Sequence, residues 1–170
     1  MPMKKKDIEK LLKKPLVAVV AVTAPDGAPH AVPTWYEYAD GQVVFHTGAE
    51  SFKYKCLVRD PRVSLLFLIP GVGETMRVNG RAVISTDPKL TESFVFNGKA
   101  PKCVLVVTVE RAYFQCTKAI IRSKLWDPAT RVDRKTLPTP GSILAELTDG
   151  KMGGPEHDRL APERIKQTIY

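Results

Sequence analysis

Motifs that announce an enzyme outright are missing from this sequence, so chemistry has to be sought in clusters of donors and charges. No GxGxxG follows an apolar run, and there is no phosphate-loop, HExxH or GxSxG pattern. The three histidines, His30, His46 and His157, lack metal-ligand spacing, and Cys56, Cys103 and Cys116 form no CxxC pair. No acid–base dyad stands out. A bound cofactor would then carry the chemistry, and the protein would supply binding, orientation and charge. The stretch suited to holding one is HTGAESFKYKCLVRDPRV, His46–Val63. There an extended run ends at Thr47, a glycine turn follows, and Ser51 opens a helix bearing Lys53 and Lys55. Hydroxyls, free helix N–H groups and lysines at one place make an anion site, and Thr47, Ser51 and Lys53 can converge on one phosphate. The same residues equally fit a serine cap with solvated lysines, and the pattern alone does not separate the two readings.

The elements that must position this stretch are mostly strands. Ile8, Leu11 and Leu12 fall at helical spacing in a short opening helix, which Pro15 stops. LVAVVAVTA (Leu16–Ala24) reads as a buried strand, and Pro25–Gly27 as a turn. A second strand over His30–Tyr38 contains Pro33, which asks for an edge or a bulge, and Asp40-Gly41 is the next hairpin turn. Gln42–Thr47 is the third strand, Ser51–Arg59 a helix, and Arg62–Ile69 the fourth strand. Asn79-Gly80 is either a tight turn or a bulge, and a bulge in one long bent fifth strand suits a barrel corner. A helix over Pro88–Asn97 capped by Asp87 precedes the sixth strand, Cys103–Cys116. Two hairpins in succession imply an antiparallel meander, so the class is mainly β with a few short helices, a six-stranded barrel or sandwich. After Trp126 proline and charge dominate, with one short helix at Ser142–Leu147 and a polar tail from Gly150.

Size and composition bound the rest. A chain of 170 residues with 44% hydrophobic content supports one domain with a real core. An odd number of cysteines argues against a disulfide framework. The start is lysine-rich with no apolar stretch of signal-peptide length, and no run is long enough to span a bilayer. A soluble, cytoplasmic protein without a membrane partner is expected. The formal charge of +8 hints at an anionic partner, and much of it sits in the N-terminal lysines. A nucleic-acid binder would interleave aromatic residues with its cations, and the N-terminal run has none, which ranks nucleic acid last among partners.

The order of segments resembles the pyridoxamine-phosphate-oxidase-like family of FMN-binding split β-barrels. The likeness runs through Pro33-Thr34-Trp35-Tyr36, Thr47, Ser51, Lys53, Leu57 and Asp60-Pro61-Arg62-Val63. It continues in GVGETMRVNGRAVIST (Gly71–Thr86) and CTKAIIRSKLWDP (Cys116–Pro128), which resemble an uncharacterised branch more than the oxidase proper. The resemblance implies a six-stranded antiparallel split barrel over residues 1–128 and an extension over 129–170 that packs on the barrel or on a partner, a single domain overall. It implies a homodimer with FMN at the interface. In such proteins the second strand runs beside the ring, here His30, Val32, Pro33, Thr34 and Trp35, and Thr47, Ser51 and Lys53 grip the phosphate. Late segments cross from the other subunit, which would bring Lys118, Arg122, Ser123 and Trp126 to the ring or ribityl chain. A cation there would favour the anionic reduced ring, and Trp126 could wall it; a core helix with Ile120, Ile121 and Leu125 inside is the competing reading. The sequence departs from the oxidase where it has His30 and Trp35 in place of a basic pair, and the oxidase's C-terminal arginine–histidine motif has no match, which argues against vitamin B6 oxidation. The expected function is an FMN-dependent oxidoreductase passing electrons from NAD(P)H to a small organic acceptor. A deazaflavin-dependent reductase and a non-catalytic flavin-binding or sensing dimer are the alternatives.

Overall fold

In a computed structural model, residues 5–13, 17–39, 42–48 and 50–168 are described. The Pro15 stop and the Asp40-Gly41 turn lie outside them. The chain divides into two compact units, one of residues 1–95 with 100–126 and one of 96–99 with 127–170.

The first unit is one antiparallel sheet. After the helix α1 (Lys5–Leu12) come β1 (Val17–Thr23), β2 (Pro29–Trp35), β3 (Glu37–Ala39) and β4 (Gln42–His46). The helix α2 (Phe52–Arg59) leads to β5 (Arg62–Leu68) and β6 (Thr75–Ser85), then α3 (Pro88–Glu92), β7 (Val104–Gln115) and α4 (Lys118–Ser123). The strand order is β2-β1-β5-β6-β7-β4-β3. Here the structure corrects the expected six strands to seven. The segment read as one second strand is two, which pair at opposite edges of the sheet, β2 with β1 and β3 with β4. Only Tyr36 separates them, so the sheet must curl until its edges approach, which is the split barrel. Tyr36 is buried at this corner, its ring edge-on to Phe67 at 4.8 Å.

Alternation sets the inside. Val20, Leu65, Phe67, Met76, Val78 and Phe45 fill the core from successive strands, and Leu12 closes it from α1. The bulge expected at Asn79-Gly80 is present: Asn79 pairs with Arg111 and Gly80 with Val109, which leaves Glu110 as the extra residue on β7. Glycine is required there for close approach, because a Cβ would stand 2.1 Å from the Thr108 carbonyl oxygen. Pro33 sits in β2, an edge strand in the sheet order, as its missing N–H demands.

The expected Pro88–Asn97 helix ends early, at Glu92. Thr91 and Ser93 hydroxyls donate back to the Pro88 and Leu90 carbonyls, and the chain then turns. Asn97 and Gly98 take positive φ, 50° and 74°, between Phe96 and Lys99, which exchange two backbone hydrogen bonds. This is the two-residue turn an Asn-Gly pair favours.

The second unit is helical, and the polar tail from Gly150 carries helices that the sequence reading did not assign. Besides α5 (Pro140–Leu147) it holds α6 (Gly154–Arg159) and α7 (Ala161–Thr168). Gly141 and Gly153 let α5 and the start of α6 touch: a Cβ on Gly141 would lie 2.3 Å from the Gly154 carbonyl oxygen. Asp158 accepts the Gly141 N–H at 2.7 Å, and its hydrogen bond to Thr139 holds its carboxyl below the usual range.

Candidate functional site

The stretch from Thr47 to Lys53 folds into a cradle at the mouth of α2. Ser51 is the N-cap, in extended conformation, and its Oγ accepts the Tyr54 N–H at 3.2 Å. Thr47 Oγ1 lies 2.8 Å from Ser51 Oγ. Thr47 is buried and Ser51 only partly so. If Ser51 donated in this pair, the Thr47 proton would be stranded in the interior, a desolvation penalty of about 1–3 kcal/mol. With Thr47 donating, Ser51 Oγ accepts twice and its own O–H is left to donate outward. Thr47 thus orients Ser51. The helix is anchored from behind, where Arg59 Nη2 donates to the carbonyls of Ala24 and Thr23 at 2.7 and 3.2 Å.

Lys53, one turn into α2, is half-buried. Burial lowers its pKa, while the nearby Cys103 thiol acts weakly the other way. Among the described residues no carboxylate pairs with it; the ion pair on this helix is Lys55 with Glu50, at 3.9 Å and exposed. Sequence reasoning does not place Cys103 in this neighbourhood. The residue is buried, its Sγ donates to the Thr47 carbonyl at 3.2 Å, and burial pushes its thiol pKa up, against the opposing effect of Lys53. Its position one residue before β7, which pairs with β4, is the signal that carries it there. Phe52 is equally unmarked in the sequence. Its ring meets His30 edge-on, with centroids 4.8 Å apart, and so brings β2 to the cradle.

The other sequence candidates divide. Along β2, His30, Val32 and Thr34 lie on one face, half-buried, and Pro33 and Trp35 on the other, exposed. His30 joins the cradle neighbourhood through Phe52, and the Thr34 hydroxyl donates to the Trp35 carbonyl at 3.2 Å. Lys118, Arg122 and Ser123 belong to α4, which buries no residue, so the reading of α4 as a core helix does not hold. Ile121 and Leu125 are exposed, and Ile120 is half-buried. Ser123 donates to the Ile120 carbonyl, and Trp126 is pinned by its indole N–H on the Val72 carbonyl at 2.8 Å. Within one chain these residues do not join the cradle. The cradle follows β4 at the end where His46 pairs with Val104 and Val104 with Ser85. The helix α4 follows the other end, where Thr75 pairs with Gln115. Among the described residues no group of three His, Cys, Asp or Glu could hold a metal, and no helix is long and apolar enough to cross a membrane.

Comparison with known proteins agrees with this fold. A conserved hypothetical protein from Mycobacterium tuberculosis superposes with a TM-score of 0.57 at 23% identity, over 79% of this chain and 95% of that one. An F420 reductase gives 0.54 at 24% identity, over 62% and 94% of the two chains. An FAD-binding protein from Mesorhizobium loti gives 0.55 at 22% identity, over 66% and 94%. At these identities the likeness is one of fold. No curated protein matches the sequence significantly. The family model described as pyridoxamine 5'-phosphate oxidase matches residues 5–116, most of the barrel unit, and on that match the chain belongs to the pyridoxamine 5'-phosphate oxidase family of flavin-binding split barrels.

Proposed function

We propose that the protein is a homodimeric flavin-dependent oxidoreductase that holds FMN with its phosphate in the cradle of Ser51 and Lys53. The observation that carries this reading is Lys53, a half-buried ammonium without a carboxylate partner among the described residues. Desolvating a cation is costly unless an anion restores what water gave. The cradle offers a hydroxyl proton, an ammonium and the first N–H groups of α2, all donors, and a phosphate monoester presents acceptor oxygens only. The residues therefore fit the group.

The dimer is supported by the separation of the two candidate clusters. β6 spans 11 residues from its cradle end to its α4 end, about 30 Å along the strand at ~3.3 Å per residue. Lys118, Arg122, Ser123 and Trp126 would then serve a flavin seated in another chain's cradle. Bound there, FMN would supply hydride and electron transfer between a nicotinamide donor and a small organic acceptor. The chain's own part is charge and shape. Lys118 and Arg122 would favour negative charge on the ring, and the pinned Trp126 would give it a fixed wall.

The test is the visible spectrum of the purified protein, followed by titration of the apo form with FMN and with a deazaflavin. Flavin bands at one FMN per chain support the proposal. Binding of the deazaflavin alone moves the reading to a deazaflavin-dependent reductase, and binding of neither removes the cofactor assignment.

A further inference from the structure

The helical unit holds a cavity of its own, in a part of the chain that follows the family match over residues 5–116. Its walls come from a single 3-10 turn (Arg134–Thr136), the start of α5, the end of α6 and α7. Helical spacing puts Ala161, Pro162 and Ile165 on one side of α7, and Leu137 and Pro140 complete the apolar part of the lining. Leu137 and Ile165 are both exposed, at 49% and 57%. The volume is about 580 Å³, within the usual size of a small-molecule site. No strand of the sheet, no residue of α4 and none of the residues assigned to the flavin lines it, so a ligand held here is independent of the flavin reading.

The lining also holds two cations and one anion, Arg134, Lys135 and Asp158. The anion is satisfied from within the unit. Asp158 accepts the Gly141 N–H at 2.7 Å and a hydrogen bond from Thr139; the Thr139 bond is the main cause of its lowered pKa, and Arg134 acts on it only weakly. Asp158 therefore stays ionised without needing a cation from a ligand. The two cations are not satisfied in this way. Arg134 gives Nη1 to the Leu137 carbonyl at 3.2 Å and Nη2 to the Pro138 carbonyl at 2.9 Å. These bonds fix the plane of the guanidinium but cannot neutralise it, since a carbonyl brings a dipole and no charge. Three of its five N–H donors are uncommitted among the described residues. Lys135 has no carboxylate partner among the described residues either: Asp133 turns back to accept the Lys135 backbone N–H at 2.9 Å, and Glu156 is taken by Arg159. One positive charge is thus left over beside an apolar wall. A monoanion balances it, whereas a phosphate monoester would set a second negative charge against Asp158.

We propose that this cavity binds an aliphatic carboxylic acid, its carboxylate on Arg134 and Lys135 and its chain along Leu137, Pro140 and Ile165. The probe is hexanoate, with hexanamide as the uncharged counterpart of the same shape, titrated into the purified protein and followed by backbone-amide and methyl NMR shifts. Hexanoate is expected to give saturable shifts in the millimolar range, centred on Leu137, Ala161 and Ile165. Hexanamide should bind roughly three- to fivefold more weakly, the discrimination an exposed ion pair gives, and the gap should close at high salt. Arg134→Gln combined with Lys135→Gln should bring hexanoate down to the affinity of the amide. Ile165→Asp, on the exposed side of α7, should abolish binding by placing a like charge in the path of the chain. It leaves the Arg134 loop contacts intact, so the test stands if the Arg134 variant folds poorly. Lys53→Ala should leave hexanoate binding unchanged even where it abolishes FMN binding, which separates failure of the two readings. Equal affinity for acid and amide at low salt would overturn the assignment of the carboxylate to Arg134 and Lys135. Wild-type affinity in Ile165→Asp, or shifts that stay linear through the millimolar range, would overturn the site.

Discussion

Replacing Lys53 by methionine removes the charge and keeps the length of the side chain, and it should have opposite consequences for binding and for stability. In the flavin complex a charged hydrogen bond to phosphate is lost, about 1.5–3 kcal/mol, or roughly 10- to 150-fold in Kd. Riboflavin, which lacks the phosphate, should bind the variant and the wild type alike. In the apo protein the variant loses an ammonium that folding partly desolvates without a carboxylate partner among the described residues, so its stability should be unchanged or higher. The pH dependence follows from the direction of the shift. Burial lowers the folded-state pKa of Lys53 below its ordinary 10.5, so the unfolded chain binds more protons in that window. Apo stability should therefore rise as pH climbs from the lowered value towards 10.5, and Lys53→Met should lose that rise. FMN affinity should move the other way and fall across the same window as the ammonium deprotonates. Flavin fluorescence quenching at several pH values, with urea melts of the apo forms, reads all of this. Equal loss of FMN and riboflavin binding, or unchanged FMN affinity, would refute the cradle.

Gly80→Ala should destabilise the barrel by about 2–3 kcal/mol, measured as a fall in urea midpoint, because the new Cβ would meet the Thr108 carbonyl oxygen at 2.1 Å. Phe67→Ala removes a fully buried ring and the edge-on partner of Tyr36, and about 3–5 kcal/mol should be lost in the same assay. Gly141→Ala should drive α5 and α6 apart, since its Cβ would lie 2.6 Å from Asp158 Oδ2. The expected result is faster amide exchange in α5 and α6 with barrel exchange unchanged.

The sequence exposes what is local and hides what the register assembles. The bulge at Asn79-Gly80 is readable because a glycine in an apolar strand has few other uses. The corner at Tyr36 is not. Inward residues recur at His30, Val32, Thr34 and Tyr36 without a break, so the alternation gives no sign that pairing passes from β1 to β4 there. Asn97-Gly98 shows the same limit from the other side, since an Asn that can end a helix can equally make a tight turn. In the candidate site, Thr47 and Ser51 are four residues apart and announce themselves, but the environment of Lys53 depends on Cys103, which arrives from fifty-odd residues downstream.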